Sequence, residues 1–475
     1  MTGLDYSIVI LSLGLSFLFA RYRNADKTRL PKLRSHTDES DAYLLAGRQL
    51  SLPLFVASLV ASWYGGLIGV TEIIFSDGIS GWIIQGWYWY VVYIVFAIFF
   101  VGRIHRSKES TLPGMLSSIH GPSIRPFVAL YTYVNVVPIA YLVSFGWVAN
   151  QVLGVSPPLA IILATVFVVL YSLDGGFGAI VRTDLVQCLL MYVSIGLVLF
   201  FCIKSATWPI VAAKLPPDHL SLTGKSSGIE MLSWLLIALS TLVDPNFYQR
   251  CFAAKSARQA RIGVCVAIAC WIAFDLCVTI VSLYARALFP NVAPQTGYLT
   301  LVGHVVPRGF YGLIISGIIA TILSTVDSYL FVGAMTLSED FSWEKKNDHV
   351  GKRKRPSTRT GLVISAILAV AMSSIYQGRI KTIWKTLGGL SSAGVLVPGI
   401  AAFTPFASEF AAKTALIVGG TSYLCIHVLG NDTFVFLLGT RLAREPLISA
   451  LFCSLAAYVA CYAYAPGKSI GGRNP

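Results

Sequence analysis

The sequence has few charged residues for its length. Of its 475 residues, 12% are Asp, Glu, Lys or Arg, whereas a soluble globular chain carries roughly 25%. At the same time, 55% of the residues are hydrophobic. This balance excludes a soluble enzyme, a disordered chain and a nucleic-acid-binding protein, and it is enough for about a dozen membrane spans. The sequence therefore predicts an all-α polytopic protein embedded in a lipid bilayer.

Motifs for metal or nucleophilic chemistry are missing. The nine cysteines are scattered without a CxxC pair, no HExxH occurs, and the seven histidines do not cluster. Most cysteines lie in apolar runs, where a free thiol behaves as a small hydrophobic group. We therefore predict no catalytic residues and no membrane enzyme. A channel would more naturally show repeated pore segments or an oligomeric filter, and nothing in the sequence requires an oligomer.

Apolar windows of suitable length predict thirteen membrane spans. They lie near 5–20, 52–74, 81–101, 126–153, 158–173, 184–202, 231–248, 262–288, 309–338, 361–376, 383–405, 411–428 and 446–465. The polar stretches between them are too short to fold alone.

The charges around the first span predict its orientation. No basic residue precedes this apolar run, and its charges follow from Arg21 to Arg34, which indicates a retained helix with the N-terminus outside. The predicted location is the cell membrane, with a cytoplasmic C-terminus. This topology places 26 of 36 basic residues inside, four of them between Arg250 and Arg261. The count follows the positive-inside rule, although Arg441 and Arg444 fall outside.

Two spans carry helix-breaking residues. Gly65 and Gly66 lie in the middle of the second span, and Pro245 follows Asp244 in the seventh. The two positions are about 180 residues and five helices apart. A matching pair of interrupted helices indicates the central site of a transporter built from two repeats. Alternatively, the glycines serve helix packing and the proline only kinks its helix.

Carboxylates occur inside several apolar runs, where each costs roughly 2.5–3.5 kcal/mol at the helix centre and so needs a reason. These residues are Glu72, Asp184, Asp244, Asp275 and Asp327. For Asp275, a carboxyl that is hydrogen-bonded between helices is an equally good explanation.

One helix presents a row of oxygen atoms. Thr321, Ser324, Thr325 and Ser328 follow helical spacing on one face, with Asp327 at its edge. Hydroxyl and carboxylate oxygens opposite freed backbone carbonyls suit Na⁺, a hard cation. The alternative is that the hydroxyls bond back to the preceding turn and line a packing interface.

Five motifs in order resemble the sodium/solute symporter family from about Tyr43 to Pro405. They are SDAYLLAGRQLSLP, FSDGISGW, SLDGGFGAIVRTDLVQ, DPNFYQRCFAAKSARQAR and ILSTVDSYLFVGAMTLSEDF. The resemblance implies the leucine-transporter architecture, with a five-plus-five inverted repeat and sodium-coupled alternating access. It divides the chain into an extra N-terminal helix with a basic cytoplasmic linker (1–47), a first repeat (48–202), a second repeat (203–405) and two C-terminal helices with a short tail (406–475).

The resemblance also implies two sodium sites. The site common to the family would use backbone carbonyls of Ala61, Tyr64 and Thr321 and hydroxyls of Ser324 and Thr325. A second site, present in some members, would use Asp184, Ser324, Asp327 and Ser328. Asp184 and Asp327 otherwise lack an evident counter-charge. The alternatives are that one carboxyl is protonated, or that a proton replaces this sodium.

The stretch ASWYGG resembles the choline-transporter branch most, in which a tryptophan at the position of Trp63 helps enclose an ammonium group. Tyr90, Tyr141 and Trp384 align with further aromatic positions of that enclosure, and Asp244 stands where the branch has tryptophan. The predicted pocket consists of Trp63, Gly65, Gln85, Tyr90, Tyr141, Asp244 and Trp384.

Aromatic walls and one acid suit a cationic or amino-bearing solute. Alternatively, the aromatics at 87–90 form an interfacial belt, or Asp244 caps the broken helix or orders the exit beside Arg250. The predicted function is sodium-coupled import of a small polar organic solute. The alternatives are a proton-coupled symporter of a neutral or zwitterionic solute such as a sugar, amino acid or carboxylate, and a channel.

Overall fold

The computed structural model describes residues 1–21, 36–224, 226–341, 357–375, 380–429 and 445–465. The basic residues at 22–34 and 345–356, which contribute to the predicted topology, lie outside this part. Arg441, Arg444 and the tail after 465 also lie outside it. Its elements are helices, with one isolated bridge between Leu50 and Ala254.

The longer helices are numbered in chain order. They are α1 (Gly3–Arg21), α2 (Leu52–Ala61), α3 (Leu67–Asp77), α4 (Ser80–Arg106), α5 (Pro122–Leu153), α6 (Pro157–Ser205), α7 (Gly228–Ala238), α8 (Pro245–Ala253), α9 (Ala257–Leu288), α10 (Tyr311–Met335), α11 (Thr358–Ile375), α12 (Ile380–Ala401), α13 (Glu409–Leu429) and α14 (Pro446–Tyr464). Shorter helices lie at His36–Leu45, Leu112–His120, Trp208–Lys214 and Pro294–Val305.

The described residues contain ten helical stretches long and apolar enough to cross a membrane. Each of the thirteen predicted windows overlaps a described helix. Helices α12 and α13 are not among the ten, and α6 counts once although it holds two predicted windows. The 49 residues of α6 would extend about 70 Å, more than twice the thickness of the hydrocarbon core. The prediction of an all-α polytopic protein is confirmed.

A glycine divides α6 between its two predicted windows. Gly176 has a φ of +54°, and a Cβ there would lie 2.4 Å from the Tyr43 carbonyl oxygen. The phenol of Tyr43 donates to the carbonyls of Ser172 and Leu173, at 3.2 and 3.1 Å. The segment that precedes α2 therefore packs into the kink at Gly176, where only glycine fits.

Both predicted breaks are present. Helix α2 ends at Ala61, and a single 3₁₀ turn (Tyr64–Gly66) precedes α3. Helix α7 ends in a 3₁₀ turn (Leu239–Val243), and Asp244 is extended before α8 begins at Pro245. The division into two repeats at 48–202 and 203–405 stays a prediction.

Helix α10 forms the centre of the molecule, because nearly all of its side chains are buried. It packs most extensively against α6, where Ser194 Oγ donates to the Ile314 carbonyl at 2.9 Å. The N-terminal helix also contacts it, since Asp5 Oδ1 accepts from the Gly312 amide at 2.8 Å. The oxygen-rich row predicted from the sequence therefore lies on a helix fixed from several sides.

The contact between α6 and α10 requires a small residue at position 317. A Cβ on Gly317 would lie 2.2 Å from Ser194 Cβ and 2.6 Å from the Leu190 carbonyl oxygen. We expect Gly317→Ala to destabilise the protein by roughly 1–3 kcal/mol through overpacking. Thermal unfolding in detergent measures the effect. Gly196→Ala on α6 is the control, because a Cβ at that position would meet no neighbouring atom within 4 Å. An equal melting temperature in both variants contradicts this packing.

Candidate functional site

The break between α2 and α3 is fixed by a bond to α10. In a continuous helix the Gly65 amide would donate to the Ala61 carbonyl. Here it donates to Thr325 Oγ1 at 2.7 Å, so the Ala61 carbonyl loses its helical donor. A Cβ on Gly65 would lie 2.4 Å from Thr325 Oγ1, which explains why glycine is needed at this contact.

Oxygen atoms from both helices meet at this contact. Ser324 Oγ donates to Asp184 Oδ1 at 2.7 Å, which uses its hydrogen and leaves its lone pairs available. The Thr321 carbonyl accepts from Thr325 Oγ1 at a long 3.4 Å, and the Tyr64 carbonyl accepts from the Leu67 amide. The structure thus brings the break that carries Ala61 and Tyr64 against the hydroxyl face of α10. Carbonyl and hydroxyl oxygens of this kind are ligands for hard cations.

Asp184 joins three elements beside this contact and is fully buried. Its carboxylate accepts from Ser58 Oγ of α2 at 2.6 Å and from Ser324 Oγ of α10 at 2.7 Å. Arg250 Nη2 of α8 lies 3.9 Å from Asp184 Oδ2. Two hydroxyl donors and a guanidinium thus compensate a charge that would otherwise be costly to bury.

Arg250, counted above among the cytoplasmic basic residues, is not a solvated loop residue. Its side chain is fully buried, and Nη2 donates to Ser328 Oγ at 2.7 Å. The guanidinium also lies over the Phe177 ring, with 5.3 Å from Cζ to the centroid. Asp184 therefore has a counter-charge, contrary to the expectation that none was available. The signal in the sequence was an arginine within two helical turns of the break at Asp244 and Pro245.

The four residues predicted for a second sodium site have different hydrogen-bond partners. Asp184 bonds to Ser324, Ser328 bonds to Arg250, and Asp327 Oδ2 accepts from the Tyr171 phenol at 2.5 Å. Asp327 Oδ1 is buried and has no hydrogen-bond partner among the described residues.

A cavity of about 140 Å³ lies between the two broken helices. Six of the seven predicted substrate residues line it, namely Trp63, Gln85, Tyr90, Tyr141, Asp244 and Trp384. Gly65 does not line it, because it packs against Thr325, and Gly66 lines it instead. A Cβ on Gly66 would lie 2.1 Å from the Trp384 ring, so glycine lets this ring approach the backbone.

Aromatic rings form much of the cavity wall. The Trp63 ring lies 5.8 Å from Tyr93 and 6.3 Å from Trp271, centroid to centroid, and 5.4 Å from Phe247 behind them. Tyr90 is 4% exposed and lines the cavity, so it does not belong to an interfacial belt. Tyr93 and Trp271 were missed because their sequence positions do not show which side of their helices faces the breaks.

Asp244 caps a helix as well as lining the cavity. Its Oδ1 accepts from the amides of Asn246 and Phe247 at 2.9 and 3.1 Å, which satisfies the first turn of α8. The capping alternative from the sequence is therefore observed. The cap does not exclude a contact with solute through the remaining carboxylate oxygen.

Relatives of known function are transporters. The chain is 24% identical over 444 residues to the high-affinity proline transporter PutP of Bacillus subtilis, covering 87% of this chain and 92% of the relative. It is also 24% identical to the sodium/pantothenate symporter of Haemophilus influenzae, covering 60% of this chain and 61% of the relative.

Solved structures show the same fold. A Na⁺-coupled sialic acid symporter in a substrate-bound, outward-open state superposes with a TM-score of 0.75 at 16% identity, covering 99% of this chain and all of that chain. MhsT in complex with L-phenylalanine gives a TM-score of 0.55 at 13% identity, with 87% and 98% covered. These neighbours confirm the predicted leucine-transporter architecture.

The sequence model of the sodium:solute symporter family matches residues 43–419, about four-fifths of the chain. This range contains both breaks, the oxygen-rich face of α10 and the cavity. Its relatives and its structural neighbours are transporters and not enzymes. The chain belongs to the sodium:solute symporter family, and it is a multi-pass cell-membrane protein that couples the symport of a small solute to sodium.

Proposed function

We propose that the chain imports a small polar organic solute by alternating access, with sodium bound where the α2–α3 break meets α10. The ligands would be the carbonyls of Ala61, Tyr64 and Thr321 and the hydroxyls of Ser324 and Thr325. The bond between the Gly65 amide and Thr325 Oγ1 carries this proposal, because it frees a carbonyl and places hydroxyls beside it.

Sodium and solute would be coupled through the segment between α2 and α3. Ala61 and Tyr64 would contribute to the ion site, while Trp63, Tyr64 and Gly66 line the cavity. A sodium ion that bridges this segment to α10 would favour the conformation in which these cavity residues are in place. Solute affinity would then rise with sodium, and sodium affinity would rise with solute by the same factor.

We further propose a second cation near Asp327, within the predicted set of Asp184, Ser324, Asp327 and Ser328. The unpartnered Asp327 Oδ1 supports it, because a buried carboxylate oxygen is costly without a donor or cation. Arg250 already neutralises Asp184, so this cation would depend mainly on Asp327. A proton on Asp327 is the alternative.

The proposed solute bears an amino or ammonium group, and it would contact Trp63, Gln85, Tyr90, Tyr141, Asp244 and Trp384. The aromatic walls and the acidic lining of the cavity support this class. Because Asp244 also caps α8, a neutral or zwitterionic solute is the second candidate.

For the membrane topology we propose an external N-terminus and a cytoplasmic C-terminus, with repeats at 48–202 and 203–405. The distribution of basic residues supports the orientation. The equivalent breaks in the two halves support the repeats.

The first prediction for function concerns the common sodium site. Ser324→Ala and Thr325→Ala should each raise the sodium concentration for half-maximal uptake by about tenfold, as expected when an oxygen ligand worth about 1.4 kcal/mol is lost. Uptake into proteoliposomes at varied sodium measures this. Ser316→Ala is the control, since its buried hydroxyl only bonds back to the Gly312 carbonyl. Unchanged sodium dependence in both test variants shows that the site is misassigned.

The second ion predicts a measurable stoichiometry. The wild type should move two positive charges per neutral solute, and Asp327→Asn, which removes the charge but keeps the shape, should reduce the ratio to one. Charge and solute uptake are measured in parallel, and transport driven by sodium alone at constant pH separates a second sodium from a proton. A wild-type ratio of one rules out the second site.

The cavity predicts that Trp63→Ala weakens solute binding by tenfold or more, because the ring contributes a large part of the wall. Trp87→Ala is the matched control, since Trp87 is 52% exposed and does not line the cavity. Binding is measured as the change in melting temperature or as uptake affinity. Intact affinity in a folded Trp63→Ala protein disproves the pocket.

A further inference from the structure

The cavity is acidic and has no basic side chain in its wall. Its lining includes two carboxylates, Asp244 and Asp275, and no Lys, Arg or His among the described residues. An anionic solute would find no counter-charge there.

The two carboxylates differ in how their charge is balanced. Asp244 accepts two backbone amides at the start of α8, where the helix dipole also favours a negative charge. Asp275 lies in the middle of α9, far from either helix end, and is 6% exposed. None of the ion pairs within the described part of the chain includes it.

The groups that face Asp275 across the cavity wall are neutral phenols. The Tyr90 phenol of α4 donates to its Oδ2. The Tyr64 phenol is also within hydrogen-bonding reach of the Asp275 carboxylate, and it lies 3.5 Å from the Trp271 carbonyl. Hydrogen bonds from phenols compensate a buried carboxylate only in part, whereas a cation within contact distance also balances its charge. A cationic group of the solute is therefore the partner that this site lacks.

Two buried donors in the same wall also lack partners. Trp271 Nε1, one helical turn before Asp275, and the Tyr93 phenol have no hydrogen-bond partner among the described residues. Both side chains are 1% exposed and line the cavity. These two donors can bind a hydrogen-bond acceptor of the solute, such as a hydroxyl, carbonyl or carboxylate oxygen.

We propose that Asp275 is the residue that selects the solute, by pairing with its cationic nitrogen, while Trp271 and Tyr93 bind an oxygen of the same molecule. This inference rests on the proposed function and sharpens it. The transported solute bears an ammonium group and an oxygen acceptor, and its net charge is positive or zero. Net anionic solutes are excluded.

The test is tryptophan fluorescence titration of the purified full chain in sodium chloride and in potassium chloride. The probes are choline, ethanolamine, L-proline, pantothenate and dimethylbutanol, the uncharged analogue of choline in which carbon replaces nitrogen. We expect binding of at least one of the three probes with a cationic nitrogen, and none of pantothenate. Choline, if bound, should be preferred over dimethylbutanol.

Asp275→Asn should weaken binding of the cationic probe on the order of 10- to 100-fold and abolish its preference over the uncharged analogue. Asp275→Glu should restore part of both. Asp218→Asn is the control, because this exposed carboxylate does not line the cavity, and it should leave the preference unchanged. Tyr90→Phe loses the hydrogen bond but keeps the carboxylate, so the preference should persist. If Asp275 only linked α9 to α4 and did not contact the solute, Asp275→Asn would not change the preference.

The possible failures are distinguishable. If no cationic probe binds, if pantothenate binds, or if Asp275→Asn keeps the full preference, the inference is overturned, while sodium-stimulated uptake of another solute would still support the proposed function. If cationic probes bind with the expected loss in Asp275→Asn but sodium affects neither binding nor uptake, the sodium-coupled function fails and the assignment of Asp275 remains.

Discussion

The helices around the proposed ion site are held together by one buried carboxylate. Asp184 accepts hydroxyls from α2 and α10 and lies beside the Arg250 guanidinium of α8, so three elements converge on one charge. In a low-dielectric interior an unpaired carboxylate is costly, and each partner is therefore strongly constrained in position. Both broken helices are anchored in this way to the central helix α10. The position of the proposed sodium ligands on α10 follows from this anchoring.

The break in the first core helix is a consequence of tertiary contact as much as of sequence. Glycine permits the chain to leave the helix, but the Thr325 hydroxyl supplies the bond that replaces the lost helical one. The same short segment then turns Trp63 and Gly66 toward the cavity. The proposed ion and solute sites would thus share a segment of backbone, which would couple them directly. No long chain of side chains between separate sites is needed.

The cavity combines aromatic walls with charge of one sign. Its two carboxylates serve different purposes, because Asp244 stabilises the start of α8 while Asp275 meets only neutral phenols. Removing Asp244 would therefore affect the folding of a helix, whereas neutralising Asp275 would chiefly affect what the cavity accepts. Relatives named for proline and pantothenate show that the same fold serves chemically different solutes. In this chain the choice of solute would depend on the few polar side chains that line the cavity.

The sequence alone was sufficient for the membrane class, the helix windows, the two breaks and the oxygen-rich row of α10, because hydrophobic runs, paired glycines and helical spacing are local properties. Six of the seven solute residues predicted from the sequence line the cavity. The sequence could not show that Arg250 is buried against Asp184, since a basic residue near a helix end is usually solvated. Nor could it show that Gly65 contacts α10 while Gly66 faces the cavity, or that Asp275 and Tyr90 meet there. These facts depend on how helices distant in sequence are rotated against one another, which only their packing decides.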